Sequence, residues 1–85
     1  MPHLRDMFRT QIHQAAKEAA VEAQHGVEKF GYFRNAHEGY AVMLEEVDEL
    51  WVEVKAWRPQ QIRHEALQVA AMALRIAVEC GPEEA

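Results

Sequence analysis

Cysteine occurs once, as Cys80. No internal disulfide is possible, so a reducing, cytoplasmic setting is expected. Proline occurs three times and glycine four, too few for a loop-rich, collagenous or low-complexity chain. No apolar run approaches the roughly 20 residues needed to cross a bilayer, and no contact with a membrane is expected. The opening MPHLRDMFRTQIH is charged from the start and reads unlike a secretory leader. Basic side chains are the scarcer charge, nine Lys and Arg against 14 Asp and Glu, for a formal net charge of −5. This balance argues against non-specific binding of a nucleic acid polymer through a basic surface, and there is no basic recognition helix. Single nucleotides stay open, because their phosphates can arrive with their own metal.

What is present is apolar and helical. Hydrophobic residues make up 49% of 85 positions, enough for one packed domain but near the lower size limit for a self-sufficient core. Oligomerisation is the expected remedy. From residue 4 to about 25, Leu4, Phe8, Ile12, Ala15, Ala19 and Ala23 trace one helical stripe, and Gly26 is a candidate C-terminal cap. Glu18 and Glu22 on this helix read either as a solvated face or as additions to an acidic pocket.

The densest signal lies in HEGYAVMLEEVDELWVEVKAW, residues 37–57. Tyr40, Met43, Leu44, Val47, Leu50, Trp51, Val54 and Trp57 recur at three- and four-residue steps, the period of an amphipathic helix. Trp51 and Trp57 stand at spacings for a core or a dimer contact. Six acidic residues fall between Glu38 and Glu53, and before its end the helix offers only Lys55 in return. Glu46, Glu49 and Glu53 share a strip about 60° wide beside the apolar stripe. An acidic helix face is ordinarily just solvated. Here the carboxylates lack compensating lysines, and each pair near 4 Å costs on the order of 4 kcal/mol at an effective dielectric of about 20. A hard divalent cation with oxygen ligands relieves that repulsion.

Asn35 and Glu38 have the spacing of a capping box that opens this helix. Before it, GVEKFGYFRNA is the one long connection, with three aromatics and two cations. Phe30 is a candidate to stack on a base, and Lys29 and Arg34 are candidates to meet phosphate. The alternative is that Phe30 and Phe33 plug the end of the bundle. After Trp57 only Arg58 and Pro59 precede a third helix, about residues 60–80, so the second and third helices should form an antiparallel hairpin. That third helix is apolar on nearly every side from Ala66 to Val78. Two short neighbours cannot cover it, which predicts a second copy of the chain. The hairpin sets Glu46 and Glu49 opposite Glu65 and Gln68, an arrangement suited to a carboxylate metal site. The five histidines show no convincing zinc spacing.

GYAVMLEEVDELWVEVK followed by HEALQVAAMALR resembles the MazG-like all-α nucleoside triphosphate pyrophosphohydrolases, in their short single-domain form, with the dimeric dUTPases as more distant relatives. The family's E-E-x-x-E motif is met in full by Glu45-Glu46-Val47-Asp48-Glu49. Its E-x-x-D motif is met by Glu65 but carries Gln68 in place of the aspartate. The resemblance implies a three-helix protomer that completes a four-helix-bundle-like core by homodimerisation, as a dimer or a dimer of dimers. It implies Mg²⁺, with Mn²⁺ as a substitute, held by Glu46, Glu49, Glu65 and Gln68. It also implies hydrolysis of a nucleoside triphosphate to the monophosphate and pyrophosphate, a nucleotide house-cleaning reaction.

In that chemistry Glu45 or Glu49 is the candidate to orient or deprotonate the attacking water. Arg75, seven residues after Gln68 on the same face, is a candidate to neutralise the leaving pyrophosphate, with an ion pair as the competing role. Gln68 leaves three readings open: a neutral metal ligand, a hydrogen-bond partner of ligand or metal-bound water, or loss of catalysis on a retained scaffold.

Overall fold

The computed structural model describes residues 4–82. Among them there are three helices and no strand: α1 (Leu4–Phe30), α2 (Ala36–Ala56) and α3 (Pro59–Glu79). The all-α expectation holds. Among the described residues, no helix is long and apolar enough to cross a membrane.

α1 runs about one turn further than the sequence suggested. Gly26 does not cap it but lies inside it, and the chain leaves the helix at Gly31, whose φ of +80° favours glycine. A Cβ on Gly26 would stand 3.1 Å from Nη1 of Arg75. Glycine at this position therefore makes room for the Arg75 side chain against α1, and the helix continues through it to Phe30. The connection shrinks to residues 31–35, and Lys29 and Phe30 belong to the last turn of α1.

Asn35 caps α2 as expected, its Oδ1 accepting from the Glu38 amide at 2.9 Å. The reciprocal half of the box is displaced by one residue. Glu38 accepts from the amide of Arg34 at 3.1 Å and from its Nε at 2.6 Å, not from Asn35. At the other end Trp57 adopts the left-handed conformation at φ 53°, and Arg58 folds back on Glu53 through bonds of 2.6 and 3.1 Å. Pro59 then starts α3, where its missing N–H is not needed.

α2 and α3 form the expected antiparallel hairpin, with Gly39 beside Ile76 and Glu46 beside Glu65. α3 is the middle helix. Both α1 and α2 pack on it, and among the described residues they do not pack on each other. α1 runs parallel to α3, as shown by Glu18 bonded to Arg63, Glu22 to Gln68, and Gly26 against Arg75.

The interior is small. Ala19, Ala71 and Met72 are its buried apolar residues, joined by Gly39 and Arg75. Trp51 and Trp57 are 57% and 74% exposed, so neither belongs to the core of the protomer. Leu74 and Val78 of α3 also face water, because two helices cannot cover all sides of a third. The molecule measures 47 × 38 × 20 Å with a radius of gyration of 14.7 Å, against about 12 Å for a compact chain of this length. Its surface of 6961 Å² exceeds the roughly 5,200 Å² usual for a folded monomer of this mass.

Candidate functional site

Glu46 and Glu49 stand three residues apart on α2, which places them on one face a turn apart. The antiparallel register of the hairpin brings Glu65 of α3 against them. One carboxylate oxygen from each of the three lies within 4.8 Å of the others. Glu46 and Glu65 are half-buried, and Glu49 is exposed. No base neutralises them: the ion pairs among the described residues join Arg34 to Glu38, Arg58 to Glu53, Arg63 to Glu18 and Arg75 to Glu79.

The electrostatic result is visible at Glu46. Burial first, then the charge of Glu49 and a hydrogen bond with Glu65, push its carboxyl from 4.5 up to about 7. Glu65 shows the same frustration in another form, since its Oε2 is buried without a hydrogen-bond partner. A buried carboxylate oxygen left unpaired costs on the order of 1–3 kcal/mol or more. A divalent cation would satisfy that oxygen and relieve the repulsion on Glu46, and all-oxygen donors are the set that Mg²⁺ takes. The residues fit such an ion.

Beside the trio opens a cleft of about 420 Å³ with α3 as its floor. α1 supplies Glu22, His25, Lys29 and Phe30, α2 supplies Val42 and Glu46, and α3 supplies Gln68, Met72 and Arg75. The volume lies in the usual range for small-molecule sites.

The sequence-derived residues divide accordingly. Glu46, Glu49 and Glu65 converge, and Lys29, Phe30, Gln68 and Arg75 line the cleft that Glu46 enters. Glu45 stands outside the trio on the exposed side of α2. Arg34 lies outside the cleft, highly exposed and bonded to Glu38. Phe30 is 75% exposed, with the Lys29 ammonium 5.2 Å from its ring centre, so it does not plug the bundle. Phe33 does that work, its ring packed where a Cβ on Gly39 would fall.

Arg75 is held in place by the fold. It donates to Glu79 at 2.8 Å and to the Gly31 carbonyl at 2.8 Å, and its guanidinium lies 4.0 Å from the Phe33 ring centre. Glu79 also accepts from the Phe33 amide at 2.7 Å. Burial pushes the Glu79 carboxyl up, but its hydrogen bonds to Arg75 and the Phe33 amide outweigh this and hold it below the ordinary value. The ion-pair role is therefore occupied, although Arg75 still forms part of the cleft wall.

Gln68 donates from Nε2 to Glu22 Oε2 at 3.1 Å. Sequence reasoning did not anticipate that partner. The side-by-side packing of α1 on α3 that creates it has no local signature beyond the alanine-rich second half of α1.

No family model matches the chain, and neither a curated protein nor a solved structure matches it.

Proposed function

We propose that this chain is a Mg²⁺-dependent nucleoside triphosphate pyrophosphohydrolase of the MazG-like kind. The observation that carries the reading is the convergence of Glu46, Glu49 and Glu65 from two helices with no cation beside them. Glu46, Glu49 and Glu65 would hold the ion, with Mn²⁺ able to replace it. When bound, the ion neutralises phosphate charge, orients the triphosphate and lowers the pKa of bound water.

The chain's own residues do the rest. Exposed Glu49, the trio member nearest to solvent, is the residue we assign to accept the proton of the attacking water. Bond formation from that water to phosphorus accompanies loss of the α–β bridging oxygen to pyrophosphate. Lys29, at the cleft rim and unpaired with any carboxylate among the described residues, supplies positive charge for the phosphates. Phe30 beside it offers an exposed ring for a base. Glu45 and Arg34 receive no role in this arrangement.

The chain works as a homodimer, or as a dimer of dimers, whose second copy completes a four-helix-bundle-like core. Tyr40, Leu44, Val47 and Trp51 support this, since they form a stripe at steps of four, three and four residues along α2 and all face water.

The test is pyrophosphate release across a panel of ribo- and deoxynucleoside triphosphates, with and without Mg²⁺. Release from at least one nucleotide is expected, and Glu49→Gln should abolish it. Absence of release over the whole panel removes the enzymatic reading.

One observation favours a second reading. Gln68 brings no charge where the family carries an aspartate, and its amide is engaged by Glu22. A nucleotide-binding or dimerisation module of weakened or lost activity would keep this scaffold. It predicts a melting temperature indifferent to millimolar Mg²⁺, whereas a metal site raises it by preferential binding to the folded state.

A further inference from the structure

Among the described residues, nothing packs beneath the N-terminal part of α1. Gln14 shares a pocket with Gln60, and Glu18 bonds to Arg63, so in the parallel register α3 begins at the level of residue 14. Residues 4–13 extend about 15 Å beyond that point. Every one of them is exposed.

This overhang is not built as a solvated end. Leu4, Met7, Phe8 and Ile12 are between 47% and 83% exposed. Leu4, Phe8 and Ile12 continue the stripe whose later member, Ala19, is buried. The apolar face thus runs off the end of its own support.

We propose that residues 4–13 form an arm that docks on α2 of a second copy of this chain, each copy lending its arm to the other. The inference rests on the dimer reading above and specifies the surfaces that meet. Three observations carry it.

First, α2 has its own uncovered apolar stripe, and among the described residues α1 and α2 of one chain do not pack together. Second, the charges are opposite. Residues 4–13 carry Arg5 and Arg9 against Asp6, whereas α2 carries Glu45 and Asp48 next to Leu44 and Val47 of its stripe, outside both the acidic trio and the ion pairs among the described residues. Third, the area suffices. The chain's 6961 Å² is about 1,800 Å² above the expectation for its mass, and a stable complex covers roughly 800 Å² on each partner. A reciprocal exchange of this kind closes at two chains and leaves neither patch open.

The test uses the full chain with Cys80→Ser as background. Phe8→Cys protein is mixed with Leu44→Cys, Val47→Cys or Trp51→Cys protein under mild oxidation, and oligomeric state is followed by sedimentation. A disulfide that needs both an arm variant and an α2 variant is the expected result. Charge reversal gives a second readout. Arg5→Glu with Arg9→Glu should weaken dimerisation at least tenfold, and Glu45→Lys with Asp48→Lys on the same chain should restore it. If α2 variants link only to themselves and arm thiols stay free in a dimer, the docking is wrong while the dimer stands. If the chain sediments as a monomer at high concentration and nothing links, both fail.

Discussion

The Glu46 carboxyl makes a statement about stability as well as about a site. Its folded pKa of about 7 lies above the ordinary 4.5, so between these values the folded chain holds a proton that the unfolded chain has released. Stability must then fall as pH rises through that interval, by on the order of 3 kcal/mol in total for this half-buried group. Urea titrations without divalent cation from pH 4.5 to 8 should show the decline, and either millimolar Mg²⁺ or Glu46→Gln should flatten it. Glu79 behaves in the opposite sense. Its pKa is depressed, so its contribution is present above the ordinary carboxylate range and is lost as pH falls through the lowered value. The Arg75–Glu79 pair is almost fully buried, and Arg75→Ala would strand an uncompensated carboxylate at a cost of about 3–5 kcal/mol. For a protomer with so small a core, that loss should abolish the cooperative thermal transition seen by circular dichroism. The acidic trio was legible in the sequence because the two helices that carry it form one hairpin, where helical spacing and a two-residue turn fix the register. Arg75 was less legible because two of its partners, the Gly31 carbonyl and the Phe33 ring, lie in a connection whose path no periodicity describes.

Helix ends show where pattern gives way to packing. The Asn35 cap follows from local chemistry and is found. The expected stop at Gly26 is not, because its reason for being glycine is a side chain from another helix. Trp57 carries the hairpin's reversal at φ 53°, a conformation that costs a residue with a Cβ about 1–2 kcal/mol. Trp57→Gly should therefore raise the stability of the hairpin by about 1 kcal/mol, read as several degrees in melting temperature. A fall in melting temperature would show that the contacts of the indole and the added freedom of glycine in the unfolded chain outweigh the backbone strain. Gly39→Ala should act the other way. Its Cβ would sit 2.9 Å from both the Phe33 ring and Ile76 Cγ1, and overpacking of this kind costs about 1–3 kcal/mol. Releasing Phe33 would also disturb the Arg75 network that holds the last turn of α1.

At the scale of the whole molecule, helix number, hairpin and excess apolar surface could all be read from periodicity and composition. The parallel run of α1 along α3, and the overhang it creates, could not, because they depend on which alanines face which helix. The proposed pairing predicts a melting temperature that rises with protein concentration by several degrees over two decades, measured by scanning calorimetry. A concentration-independent value would mean that the single chain is the stable unit. The 20 Å thickness has a further implication. A slab no deeper than about two helix diameters keeps no stretch of backbone far from a protease. With the arms docked as proposed, limited proteolysis should nick the overhanging turns of α1 in dilute protein and spare them in concentrated protein.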